Sequence, residues 1–170
     1  QEGKKIKDVS IGTNFTAVED AHDSIERSDG VKDASNRVGS VDLKATLWEK
    51  YRFEGEVARS WDDEDTASSL GGLRKTGSAL RLKLDGKVSK KLKGNVGYEW
   101  VGANFRTLAG SAISDRAMVR TRADYQWNRR WKADMRYNIN MDRMDDSPQN
   151  KRTIANTPGL GLQWMPDDKI

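Results

Sequence analysis

The sequence predicts an all-β chain of about eight antiparallel strands in up-and-down order. The expected architecture is a transmembrane β-barrel, or a contiguous section of a larger one. Three observations lead there. Apolar and polar residues alternate with a period of two in segment after segment, the connections between segments are alternately short and long, and aromatic residues gather near the segment ends.

The period is clearest from Leu80 onward. Leu80, Leu82, Leu84, Gly86 and Val88 occupy one parity, and Arg81, Lys83, Asp85 and Lys87 the other. A helix would mix these two sets around its circumference, whereas a strand sends them to opposite faces. The next segment sets Val96, Tyr98 and Trp100 against Asn95, Gly97 and Glu99. A third sets Val119, Thr121, Ala123, Tyr125 and Trp127 against Arg120, Arg122, Asp124 and Gln126. A fourth sets Trp131, Ala133, Met135, Tyr137, Ile139 and Met141 against Lys132, Asp134, Arg136, Asn138 and Asn140.

Upstream, Val41, Leu43, Ala45 and Leu47 alternate with Asp42, Lys44 and Thr46. Tyr51, Phe53 and Val57 alternate with Arg52, Glu54 and Glu56. Val9, Ile11, Thr13 and Phe15 suggest an opening strand, and Leu160, Leu162 and Trp164 a closing one. The strands are expected at roughly 5–16, 37–47, 51–61, 78–89, 92–104, 116–127, 131–142 and 153–165, in one domain covering 1–170.

Tight turns at Trp48-Glu49-Lys50, Ser89-Lys90-Lys91 and Asn128-Arg129-Arg130 alternate with longer polar stretches near 17–36, 62–77, 105–115 and 143–152. Barrels that cross an outer membrane have this asymmetry, with tight periplasmic turns and long extracellular loops. Trp48, Tyr51, Tyr125, Trp127 and Trp131 lie by the short turns, and Trp61 and Trp100 near the long-loop ends, as two interfacial girdles would require. About nine residues from Leu92 to Trp100, at ~3.3 Å each and a tilt near 40°, span roughly 23 Å, close to the apolar band of such barrels.

Composition narrows the alternatives. One third of the 170 residues are charged and 35% are hydrophobic, yet there are six Trp, four Tyr and only three Pro. That is too aromatic for disorder and too polar for a helical membrane protein. No run approaches the ~18 consecutive apolar residues of a spanning helix, so a bilayer would have to be crossed by strands. The net charge of +4 is interleaved along the chain, which argues against a nucleic-acid groove. The absence of cysteine excludes disulfides, zinc–thiolate sites and thiol chemistry. The chain opens at Gln1 with no Met and no apolar leader, which fits a mature protein after signal-peptide removal and fits a trimmed segment equally well.

Through pattern rather than a diagnostic motif, the chain resembles the bacterial outer-membrane β-barrel superfamily, porin-like in character. The strand-turn-strand unit from Tyr125 to Tyr137 carries the likeness well. The resemblance implies an outer-membrane location and lipid and lipopolysaccharide as neighbours. It also implies a pore or export channel for polar solutes or polymers, with neither enzymatic activity nor a cofactor. The lumen would be lined by Lys44, Arg52, Glu54, Glu56, Arg81, Lys83, Asp85, Lys87, Glu99, Arg120, Arg122, Asp124, Lys132, Asp134 and Arg136. Lipid would meet Leu43, Leu47, Phe53, Val57, Leu80, Leu82, Leu84, Val96, Val119, Ala123, Met135 and Ile139.

In a narrow barrel the same charges would form a salt-bridged plug, and the protein would anchor the envelope or display loops. A soluble β-sheet binding protein is the third reading, although its core would be expected to hold denser Val, Ile and Leu than this face has. Such barrels often finish on an aromatic residue, whereas here Trp164-Met165-Pro166-Asp167-Asp168 reads as one more turn before Ile170. That tail favours further strands, other copies or periplasmic partners over a closed ring of eight.

The remaining motifs are weaker. Asp20-Ala21-His22-Asp23 is similar to the acidic, His-bearing rim of omptin surface proteases, but with no second motif it reads as a solvated loop histidine. Asp62-Asp63-Glu64-Asp65 and Asp142, Asp145 and Asp146 lack EF-hand spacing and read as solubilising charge, so no metal site is expected. Gly71-Gly72 and Gly159-Leu160-Gly161 form no phosphate-cradling loop.

Overall fold

The computed structural model describes residues 6–19, 35–63, 74–107, 113–143 and 151–166. Eight strands follow one another: β1 (Ile6–Glu19), β2 (Ser35–Leu47), β3 (Tyr51–Asp63), β4 (Arg74–Lys87), β5 (Leu92–Val101), β6 (Arg116–Gln126), β7 (Trp131–Asp142) and β8 (Thr153–Trp164). Each pairs antiparallel with the next, giving one sheet in sequence order. β1 and β8 each have a single neighbour and make no contact with one another, so the sheet is open.

The pairing explains why the alternation persists for so long. Val41 faces Val57, which faces Leu80, which faces Trp100; Lys44 faces Glu54, which faces Lys83. The first row continues through Ala117 and Met141 to Ile154 in β8. A slip of one residue anywhere would exchange the faces of a whole strand, so the side-chain pattern enforces one register. The structure extends the expected β3 and β4 by two and four residues toward the loops between them, to Asp63 and Arg74, and ends β5 earlier, at Val101.

β1 departs from strict alternation. Its register with β2 shifts between Lys7 and Ser10, and Asp8 has φ 52°, a left-handed conformation, so two residues oppose one. This bulge puts even-numbered Ile6 opposite Leu47 and odd-numbered Ile11 opposite Leu43, on one apolar face. Without it, Ile6 would point to the charged side.

The tight turns are held by side chains. Ser89 Oγ accepts the N–H groups of Lys91 and Leu92 at 3.2 and 3.1 Å, and Asn128 Oδ1 those of Arg130 and Trp131 at 2.8 and 2.9 Å. Trp48 and Glu49 both have positive φ, 48° and 58°, as a hairpin turn of that length demands. Pro158 sits inside β8. Met165 N–H donates to Arg130 O at 2.8 Å, which fixes the parity of the β7–β8 ladder and leaves the missing Pro158 donor on the outer edge.

Candidate functional site

Register places every lumen-lining candidate on one face of the sheet and every lipid-facing candidate on the other. The polar face divides into three zones along the strands.

Nearest the short turns, charges pair along their own strand, two residues apart. Arg52 meets Glu54 at 3.1 Å, Lys83 meets Asp85 at 2.8 Å, Arg122 meets Asp124 at 3.0 Å and Arg136 meets Asp134 at 3.1 Å. This lets β6 and β7 tolerate an unfavourable register, in which Arg122 faces Arg136 and Asp124 faces Asp134. Each like-charged neighbour is neutralised from within its own strand, and Lys132 adds a longer approach to Asp124 at 3.9 Å. Lys87 closes this zone opposite Lys93.

In the middle, Asp42, Lys44, Glu56, Arg81, Glu99 and Arg120 make no ion pair among the described residues, although Arg81 stands in register between Glu56 and Glu99. They open onto two shallow recesses. One is bounded by Asn14, Asp42, Lys44, Glu54 and Glu56, the other by Asn95, Glu99, Met118 and Arg120, and Arg81 and Lys83 stand between them. Three acids and three bases, none paired among the described residues, line this part of the polar face.

Toward the long loops the polar face carries fewer charges and gains a cover. The first residues after β5, 102–107, fold back across it as a strap. Phe105 is buried beside Val101, Ala79 and Ala58, and its backbone crosses Gly77 so closely that a methyl group there would collide with Asn104 and Phe105. Arg106 N–H donates to Ser60 Oγ at 3.2 Å, Asn36 Nδ2 donates to Arg106 O at 3.2 Å, and the Arg106 guanidinium reaches Asp62 at 3.4 Å. Ser60 is fully buried and Asp62 only 7% exposed, so the strap ties β2, β3 and β4 together over a desolvated polar cluster. The sequence reading treated this stretch as a plain polar loop. The available signal was the run of small residues, Ala58, Ser60, Gly77 and Ala79, interrupting the charge pattern.

The apolar face has no such cover among the described residues. Phe15, Val57, Val96, Met135, Leu160 and Leu162 are exposed on it, the last two by 85% and 71%. Aromatic residues mark its ends. Trp131 and Trp164 stack at 6.5 Å and Trp48 meets Tyr51 edge-on at 6.2 Å by the short turns, where Tyr125 and Trp127 also lie exposed. At the other end Arg59 lies over the Trp61 ring at 5.9 Å, and Trp100 covers Gly102.

His22, Glu64, Asp65, Gly71, Gly72, Asp145, Asp146 and the tail from Asp167 to Ile170 lie outside the described residues. Among those described, no three carboxylates or imidazoles converge where a metal ion would sit. No protein-family model and no curated protein matches this chain.

Proposed function

We propose that the chain is a section of a bacterial outer-membrane β-barrel whose polar face borders a water-filled passage for polar solutes or polymers. In this reading the apolar face lies in lipid. The observation that carries it is the contrast between the faces. The polar face is where residues 102–107 fold back, whereas the face rich in Leu, Val, Met and aromatic residues is uncovered among the described residues. Exposing that much contiguous apolar surface to water is unfavourable, and a bilayer removes the cost without a second protein layer. The unpaired charges of the middle zone support a hydrated passage rather than a salt-bridged plug.

The open edges bear on barrel size. Unpaired N–H and C=O groups on β1 and β8 would each cost several kcal/mol in hydrocarbon, so both edges need a strand. Since β1 and β8 are apart, added strands from the same polypeptide or another copy are the reading we favour, and the interior widens with strand number.

The test is single-channel recording of the native protein in a planar bilayer, together with its strand count. Discrete conductance from an assembly of more than eight strands is expected. No conductance with β1 hydrogen-bonded to β8 would leave a small anchoring or display barrel. A detergent-free monodisperse monomer would leave a soluble sheet protein instead. Polarity probes sharpen this: labels at Leu82, Val119 and Met135 are expected to report hydrocarbon, and labels at Lys83, Arg120 and Arg136 water. Equal environments on the two faces would remove the membrane reading.

A further inference from the structure

We infer that the rim formed by the short turns is a docking surface for the headgroups of anionic phospholipids, an inference that rests on the membrane reading above. The first observation is the charge carried by the two ends of the sheet. At the long-loop end both signs are mixed: Arg37, Arg74, Arg106 and Arg116 are held by Glu19, Asp63, Asp62 and Asp142, while Arg59, Arg143, Lys151 and Arg152 are exposed and make no ion pair among the described residues. At the short-turn end, Lys50, Lys90, Lys91 and Arg129 are exposed and make no ion pair among the described residues. The single acid within those turns, Glu49, is already bound to Lys7.

The second observation is height. Tyr51, Tyr125, Trp131 and Trp164 stand on the apolar face at the last rungs before the turns. Such rings settle at the boundary between hydrocarbon and headgroups. The turn cations lie one to a few residues beyond them along the chain, which is where lipid phosphates would be. Ser89 and Asn128 fix the backbone of both dibasic turns, so the points from which the basic side chains extend are already set. Charge complementarity therefore selects an anionic headgroup over a zwitterionic one, because surface potential attracts each basic group separately.

The experiment inserts the native protein into phosphatidylcholine vesicles with and without phosphatidylglycerol and measures headgroup enrichment around it with spin-labelled lipids. The wild type is expected to favour phosphatidylglycerol by about fivefold, an effect that weakens in high salt. Replacing Lys50, Lys90, Lys91 and Arg129 together by Gln should bring the ratio near parity, while Arg74→Gln with Lys151→Gln at the loop end should leave it unchanged. Equal enrichment in the wild type and the turn variant, or loss only in the loop-end variant, overturns the inference. Insertion into neutral vesicles is scored separately: a protein that enters them without lipid preference refutes the rim alone, and one that enters neither vesicle refutes the membrane reading and the rim with it.

Discussion

The two halves of the polar face solve the same problem differently. Near the short turns, charge is cancelled by pairs that stay partly in water, each made from neighbours on one strand, such as Lys83 and Asp85. Near the long loops, the polar groups Asp62, Asn36 and Ser60 are instead buried under the strap from Phe105 and Arg106. Solvated pairs contribute little individually and tolerate change. Buried polar contacts tolerate almost none, because a lost partner leaves a desolvated group unsatisfied. Stability is thus concentrated where the strap crosses the polar face, while the middle zone with Arg81, Glu99 and Arg120 is left adjustable.

The sharpest way to break this comparison uses two glycines of the same face. Gly77→Ala puts a methyl group into the backbone of the strap, so Phe105 and Arg106 must leave, whereas Gly97→Ala meets nothing nearer than 3.9 Å. The first is expected to cost about 2–3 kcal/mol, as overpacking does, and the second to be neutral or slightly stabilising. Urea unfolding gives the energies, and faster trypsin cleavage after Arg106 would report strap release. Equal stability of the two variants would mean that the strap is not held by this contact.

A smaller effect separates the two kinds of ion pair. Asp62→Asn weakens the Arg106 contact and the acceptor facing Asn36, with an expected loss of about 1–3 kcal/mol. Asp85→Asn removes a partner of Lys83 whose side chain is 42% exposed, and a loss below about 1 kcal/mol is expected after solvent screening. Unfolding midpoints compare them directly. A larger loss from Asp85→Asn would reverse the assignment of the halves.

How far the sequence disclosed this arrangement depends on whether each feature is local. Strand faces and tight turns follow from period two and from turn residues such as Asn128 and Ser89, all readable within a few positions. The same-strand pairs are equally local: Arg52 and Glu54, or Asp134 and Arg136, stand two apart on one parity. The β1 bulge was hidden because Asp8 gives no sign that it will adopt positive φ, and the clue is only that Ile6 and Ile11 have opposite parity. The strap was hidden for a different reason. Phe105 is a lone apolar residue in a polar stretch, and its socket is assembled from Gly77, Ser60 and Asn36 on three other strands. Only pairing those strands reveals that their small residues coincide.

The smallest expected effect lies at the outermost turn, where the exposed-pair rule can be tested by pH. Glu49 sits between β2 and β3, and its carboxyl is held below the ordinary glutamate value by a hydrogen bond from Lys7 and by that ammonium's charge. A carboxylate whose folded value is depressed contributes stability above its unfolded pKa, near ~4.3. The contribution is lost as pH falls through the lower folded value. The gap in melting temperature between the wild type and Glu49→Gln is therefore expected to be small at neutral pH and to close in strong acid. Added salt should also narrow it, since both groups are exposed and screened. A gap that persists unchanged in acid would mean that Glu49 acts through the shape of the turn, where its φ of 58° is already unusual, and not through its charge.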